Sequence, residues 1–130
     1  MLKNFGLQGR KAGLDHAAFV RHWIGVHAPL ARAVPVIRGY VINEVLERVS
    51  GGAPAEMPVS PELDGIAQQW YDSADSLKQM AQLPEAKPMF ADGPNYLGAR
   101  TGIASSERIV RAPEAPRPAF KLLRLVERPA

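Results

Sequence analysis

The sequence predicts a single α+β domain whose elements follow the order β-α-β-β-α-β. Short runs rich in β-branched residues are separated by two segments with helical periodicity, and Gly and Pro cluster between them. A length of 130 residues is typical of one domain, and a hydrophobic content of 46% is enough for a core without disulfides or metals. The absence of cysteine excludes disulfide frameworks, thiolate metal sites and cysteine nucleophiles.

The first helix follows the first strand after a short loop that is bracketed by glycines. The strand is predicted over residues 2–8, and Asp15 supplies the N-cap at which the helix begins. Pro29 lacks an amide hydrogen and disfavours helical angles at the residue before it. We therefore expect a break or kink just after His27.

One face of this helix is apolar. At about 100° per residue, Phe19, Trp23 and His27 fall on a common arc. The same arc includes Val20, Ile24 and Val26. We expect this face, with the imidazole in its middle, to point into the protein.

The second and third strands are separated by a long loop. Residues 38–49 are apolar on both faces, which is typical of a strand covered on both sides or of one with a bulge near Asn43. Residues 50–61 predict a loop because they are rich in Gly and Pro, and residues 66–71 predict the third strand. A capping residue at position 72 or 73 begins the second helix, which Pro84 ends.

The C-terminal third is dense in Gly and Pro. Residues 84–104 are predicted to be a loop with a short helical turn, and residues 107–111 and 120–128 are predicted to be strands. We expect residues 1–111 to form the domain. Residues 112–130, a Pro-rich spacer and the last strand, are expected to pack on the same domain or on its dimer partner.

This order of elements is the ferredoxin-like arrangement, an antiparallel sheet with two helices on one face. The other face of the sheet is left uncovered and carries apolar side chains. Such a face needs a partner, so we expect a homodimer that pairs sheet against sheet.

Charge and hydropathy exclude two classes of partner. The formal net charge is +3, but the bases are mostly isolated arginines and the middle of the chain is acidic, so we expect no nucleic-acid binding. No apolar run approaches the ~18 residues that span a bilayer, and the N-terminus does not resemble a signal peptide. We expect no membrane association and a cytoplasmic location.

Three histidines, His16, His22 and His27, lie in one segment. His22 and His27 are about 140° apart on an α-helix, so we expect that they cannot chelate one metal ion. His27 is the candidate for chemistry, because a neutral, desolvated imidazole at a helix end can move a proton. The alternative is a structural histidine that caps the helix or bonds a core carbonyl.

Tyr40 and Asn43 open the second strand. A phenol and an amide are suitable groups for orienting a substrate oxygen. The alternative is that they are a strand aromatic residue and a bulge residue.

These residues form an ordered set that resembles the EthD-like family over about residues 2–111. The specific part is the helix-one run followed by the start of the second strand, with a weaker match around the third strand. The motifs are His22-Trp23-x3-His27-Ala28-Pro29-Leu30, then Arg38-Gly39-Tyr40-Val41-x-Asn43, then Asp64-Gly65-Ile66-Ala67-x2-Trp70.

The resemblance implies a homodimeric α+β barrel with a small-molecule cavity in each subunit. Relatives include proteins needed for ether degradation alongside haem monooxygenases, cofactor-free lactone isomerases, and polyketide-type dehydratases or decarboxylases. The helix-one histidine of the family matches His27, and its strand-two Tyr and Asn match Tyr40 and Asn43. A shared fold does not fix the chemistry.

Three functions remain open. The first is a cofactor-independent enzyme of a catabolic or polyketide-type pathway, in which His27 moves a proton and Tyr40 and Asn43 hold the oxygen of an apolar lactone, phenol or ketone. The second is a non-catalytic binding or accessory protein that supports an oxidoreductase. The third is a haem-binding barrel with His27 as the ligand, although we expect no cofactor.

In each case we expect a small apolar or aromatic ligand. The His27 ring should face a pocket that is closed off when two sheets meet. The expected wall consists of Trp23, Phe19, Trp70, Ile42 and Leu30.

Overall fold

A computed structural model of the chain describes residues 1–47, 63–115 and 121–123. Four strands form one sheet, and the helices pack on one side of it. The strands are β1 (Leu2–Arg10), β2 (Gly39–Glu44), β3 (Gly65–Tyr71) and β4 (Leu97–Ser105). The helices are α1 (His16–His22), α2 (Ala28–Arg32), α3 (Ala74–Gln79) and α4 (Ala86–Tyr96), with a π-helical turn at Trp23–His27 and a 3-10 turn at Met80–Gln82.

The sheet is antiparallel throughout and has the strand order β2-β3-β1-β4. This confirms the predicted ferredoxin-like α+β fold and its β-α-β-β-α-β order. The predicted N-caps are also confirmed. Asp15 accepts a hydrogen bond from the amide of Ala18 at 2.7 Å, and Ser73 accepts one from Ser76 at 3.1 Å.

Pairing register defines the two faces of the sheet. Gly6 lies opposite Ala67 on β3 and Gly102 on β4, and Ala67 packs with Trp23 of the helical layer. Phe5, Trp70 and their cross-strand partners point the other way. We call these the helix face and the helix-free face.

Residues 84–111 were predicted wrongly. The segment expected to be a loop forms α4 and β4, and residues 106–115, which include the predicted strand 107–111, are outside any strand. Pro88 lies in the first turn of α4, where a missing amide hydrogen leaves no bond unmade, and Pro94 lies in its last turn. Pairing with β1 along almost its whole length fixes β4 despite its two glycines.

The predicted last strand lies mostly outside the described residues. The described part, residues 121–123, is not in a strand. Lys121 Nζ donates to Gln68 Oε1 at 2.9 Å, which places this segment over the helix-free face. The division into residues 1–111 and 112–130 stays a prediction.

The helix does not break after His27; the irregularity expected there is a π-helical turn, in which the first helical segment widens instead of ending. The amide of Ala28 donates to the carbonyl of Trp23, five residues earlier, and α2 then continues with Pro29 in its first turn. Proline cannot donate to the carbonyl four residues before it and clashes with that group. The π-helical turn relieves this conflict without interrupting the helix.

Trp23 anchors the helical layer to β3. A Cβ atom on Gly65 would lie only 2.1 Å from the Trp23 ring, so the indole lies directly on the backbone of β3 at this glycine. Trp23 is fully buried with Phe19, Ala67 and Tyr96. In the described residues, no helix is long and apolar enough to cross a membrane.

We predict that Gly65→Ala lowers the free energy of unfolding by about 1–3 kcal/mol, because the new methyl group must displace the Trp23 ring. The matched control is Gly25→Ala in the π-helical turn, where the added methyl meets no atom within 4 Å. Urea denaturation of both variants measures the difference. Equal stability of the two variants would contradict this account of the Trp23 contact.

Candidate functional site

A buried carboxylate holds two histidines on the helix side of the sheet. Asp92 of α4 is 6% exposed. Its Oδ1 atom lies 2.8 Å from Nε2 of His22, and its Oδ2 atom lies 3.0 Å from Nδ1 of His27. Since an ionised carboxylate only accepts hydrogen bonds, both ring nitrogens must donate to it.

The π-helical turn makes this arrangement possible. In an α-helix, His22 and His27 would point about 140° apart. Hydrogen bonds that span five residues bring such positions to the same side of the helix. The expectation that these rings diverge is therefore wrong, and so is part of the predicted apolar arc, since Ile24 and Val26 are exposed.

Asp92 remains ionised in this environment. Burial alone would raise the pKa of Asp92, but hydrogen bonds from Asn95, His22 and His27 outweigh it and hold the pKa below its ordinary value. The Asn95 side chain donates to Oδ1 at 3.0 Å, one helical turn further along α4. The carboxylate is thus a fixed negative charge that orients both imidazoles.

At His27, burial has a larger effect on the pKa than the hydrogen bond has. Its residue is 8% exposed, and burial lowers the pKa of His27 below its ordinary value even though the Asp92 hydrogen bond opposes the shift. The ring is therefore neutral near pH 7, with its proton on Nδ1. Nε2 has no hydrogen-bond partner among the described residues, so its lone pair is available to accept a proton.

Tyr96 packs against both histidines. Its ring centroid lies 5.2 Å from that of His22 and 4.9 Å from that of His27. Phe19 lies 5.3 Å away on another side. These aromatic contacts leave each imidazole little freedom to turn and supply the apolar surroundings that desolvate His27.

Tyr40 is positioned by the indole of Trp23, which donates from Nε1 to its hydroxyl oxygen at 2.7 Å. Burial raises the pKa of Tyr40, so the phenol is protonated and can still donate its own hydrogen. Tyr40 and Ile42 line an open cleft of about 470 Å³, whose other side includes Ala28 and Arg32 of α2. Tyr40 therefore offers a hydrogen-bond donor beside a space large enough for a small molecule.

Other predicted site residues are placed elsewhere. Asn43 and Trp70 lie on the helix-free face, opposite to Tyr40, because alternate strand residues point to opposite sides. The side-chain amide of Asn43 donates to the carbonyl oxygen of Ile66 at 2.9 Å, and the ammonium group of Lys3 lies over the Trp70 ring. The expectation that Asn43 holds the same oxygen as Tyr40 is therefore not met by this geometry. Leu30 packs in a second core cluster instead of lining the cleft.

The location of the histidines also corrects the expected pocket. His27 and Asp92 lie within the helical layer, and not on the face by which two sheets could meet.

Polar side chains unexpectedly occupy the helix face of the sheet. Asn4 and Gln69 are buried there and bond each other at 3.3 Å, and Gln8 is buried further along β1. Phe5, beside them in sequence, points to the helix-free face. We call Asn4, Gln8 and Gln69 the polar floor. The sequence analysis did not identify it.

His16 belongs to a separate cluster. Its Nδ1 lies 2.8 Å from Asp64, and its Nε2 lies 3.1 Å from Glu44. The bond to Asp64 raises the pKa of His16 despite some desolvation. Among the described residues, no group of three or more His, Cys, Asp or Glu side chains could hold a metal ion.

The fold and this site define a ferredoxin-like α+β protein with a buried histidine–aspartate cluster and an open cleft lined by Tyr40. A family model for the EthD domain matches residues 11–99. The chain therefore belongs to the EthD family, as its motifs indicate. A comparison with curated protein sequences gave no significant match.

Solved structures support the fold. An EthD family protein from Bacillus halodurans shares 24% identity with a TM-score of 0.65, covering 83% of this chain and 99% of that one. An EthD-like protein from Ralstonia eutropha shares 22% identity with a TM-score of 0.58, covering 85% and 96%. A protein from Thermobifida fusca, described as dimeric and ferredoxin-like, shares 14% identity with a TM-score of 0.59, covering 82% and 90%.

We predict that Asp92→Asn lowers the pKa of His27 further below 6.5. The carboxylate opposes the effect of burial, and its removal leaves desolvation unbalanced. Titration of the imidazole resonances by NMR measures the pKa. Asp72→Asn, which removes an exposed carboxylate bound to Arg38, is the control and should leave it unchanged. An unchanged or raised pKa in Asp92→Asn would disprove the electrostatic role of Asp92.

Proposed function

We propose that this protein is a cofactor-independent acid–base enzyme that acts on a small lactone, phenol or enolisable ketone. The observation that supports the proposal is the state of His27, which is buried, neutral and fixed through Nδ1 by Asp92 with Nε2 unbonded among the described residues. An aspartate that fixes the tautomer and orientation of a histidine is a recurrent arrangement for general bases.

The proposed step is a proton transfer. His27 Nε2 takes a proton from a carbon next to the substrate carbonyl or from a substrate hydroxyl group, and the ring becomes an imidazolium ion. The electron pair of the broken bond moves to the substrate oxygen. Return of the same proton to another substrate atom gives an isomer and restores the neutral imidazole, so no oxidant or metal is consumed.

Two groups stabilise the charges that form. The ionised Asp92 carboxylate stabilises the imidazolium through the bond to Nδ1. The Tyr40 phenol, held by Trp23, donates to the substrate oxygen as it gains negative charge. Because both groups are oriented before the substrate arrives, little reorganisation opposes the reaction.

The protein is also proposed to be a homodimer that pairs through the helix-free face. Phe5, Leu7 and Trp70 are only partly buried on this face, and Ile103 is 38% exposed. The Thermobifida fusca protein with the same fold is described as dimeric. Pairing sheet against sheet would remove these side chains from water and leave the helix-side cleft with Tyr40 in each subunit.

We predict that His27→Ala lowers turnover by about 10²–10⁴-fold, the usual contribution of a general base. Lactones, phenols and enolisable ketones are incubated in D₂O with a chelator, and deuterium incorporation or rearrangement is followed by mass spectrometry. His16→Gln is the matched control, since His16 lies in another cluster and should leave turnover unchanged. Circular dichroism verifies that each variant is folded.

Full activity of a folded His27→Ala protein would refute the proposal. A compound that raises Tm, is recovered unchanged and exchanges no deuterium would indicate a binding or accessory protein instead. A Soret shift on haem titration that is lost in His27→Ala would indicate the haem-binding function.

We predict that the wild-type protein elutes as a dimer of two 14.2 kDa chains and that Ile103→Asp makes it monomeric at micromolar concentration. A charge at this position would lie unpaired in the proposed interface. The control is Ile24→Asp, which changes an exposed isoleucine of the helical layer. Light scattering coupled to size exclusion gives the mass, and a monomeric wild type would rule out the dimer.

A further inference from the structure

Arg100 of β4 lies on the helix face of the sheet, near the polar floor. It is paired in register with Gln8 of β1. Its guanidinium reaches along β1 to Gly6, where a Cβ atom would lie 3.4 Å from Nε and 3.5 Å from Nη2. The guanidinium therefore extends over the sheet at Gly6, at ordinary van der Waals distance from where a side chain would begin.

Within the described residues, the Arg100 guanidinium has no protein partner. In the described part of the chain, Arg100 makes no hydrogen bond or ion pair, and its residue is exposed. Arginine has five donors in a planar fork, so an exposed guanidinium without a protein acceptor has donors free for a ligand.

Two buried polar atoms of the same layer have no hydrogen-bond partner among residues 1–47, 63–115 and 121–123. They are Oε1 of Gln8, a residue that is 3% exposed, and the hydroxyl of Tyr96, which is fully buried. Burying such atoms without a hydrogen bond is unfavourable, so a ligand that pairs with them is favoured. Both belong to the layer between the helices and the sheet, since Gln8 faces Arg100 and Tyr96 packs with Ala67 beside Gly6.

The charge of Arg100 reaches the catalytic groups. It favours deprotonation of His27, Tyr40 and Tyr96, although burial still leaves the pKa of each tyrosine above its ordinary value. An anion bound at Arg100 would therefore lie within electrostatic range of the proposed general base.

We propose that Arg100 is a substrate-binding residue that holds a carboxylate, so that the substrate is a small organic acid. The guanidinium fork donates to the carboxylate, and the Tyr96 hydroxyl, which can donate, supplies a further hydrogen bond at its edge. This inference rests on the proposed function only in calling the ligand a substrate, because binding of a carboxylate requires no reaction.

The geometry favours a carboxylate over a phosphate group. Arg100 is a single planar cation, and a planar carboxylate matches its fork with two parallel bonds. A dianionic phosphate group would carry one negative charge more than this single guanidinium balances.

The test compares carboxylates with neutral amides of the same shape. Acetate, benzoate and cyclohexanecarboxylate are titrated by NMR or calorimetry against acetamide, benzamide and cyclohexanecarboxamide. We expect at least one carboxylate to bind with a Kd near or below about 1 mM and its amide to bind about tenfold more weakly or worse.

Arg100→Met should weaken binding of that carboxylate by about tenfold or more, and Arg100→Lys should restore part of the loss because the charge remains without the fork. Arg21→Met is the matched control, since it removes an exposed arginine of α1. It should leave the affinity unchanged.

Three results would overturn the inference. They are failure of all three carboxylates to bind, equal binding of a carboxylate and its amide, and wild-type affinity in Arg100→Met. The proposed function fails separately. Carboxylate binding that needs Arg100 but is never followed by turnover would support the binding site and refute the proposed enzymatic function. Turnover of a neutral compound by Arg100→Met at the wild-type rate would support the enzymatic function and refute the role of Arg100 in substrate binding.

Discussion

The site depends on one buried negative charge, the Asp92 carboxylate. Moving a carboxylate out of water is costly, and only several good hydrogen bonds compensate for it. Asn95, His22 and His27 provide three, each worth about 1.5–3 kcal/mol to a charged acceptor. The same bonds fix two imidazoles, so the requirement to satisfy Asp92 also determines where His27 can accept a proton.

The scaffold positions this charge through local features of the helical layer. Pro29 prevents regular α-helical bonding and favours a π-helical turn, and that turn brings both histidines to Asp92. On the other side of the layer, Gly65 allows Trp23 to lie on β3 and hold Tyr40. A base and a hydrogen-bond donor are thus fixed by packing that does not depend on a ligand.

Much of the fold and part of the site could be predicted from the sequence. Periodicity and capping identified the first three strands and the start of both helical segments, and the apolar arc predicted a buried His27. Asp92 was missed because the prolines around it suggested a loop, although Asp92 and Tyr96 have helical spacing. The polar floor was missed because alternation alone does not say which face of a strand is buried. In β1 it is Gln8, and not its apolar neighbour, that faces the helices.

The central claim is that His27 is a neutral imidazole with its proton on Nδ1 and a free lone pair on Nε2. The ¹⁵N chemical shifts of the two ring nitrogens in labelled protein at neutral pH test it most directly. The account predicts a protonated Nδ1 that is hydrogen-bonded to Asp92 and an unprotonated Nε2. An imidazolium ion, or a proton on Nε2 with Nδ1 unprotonated, would contradict it.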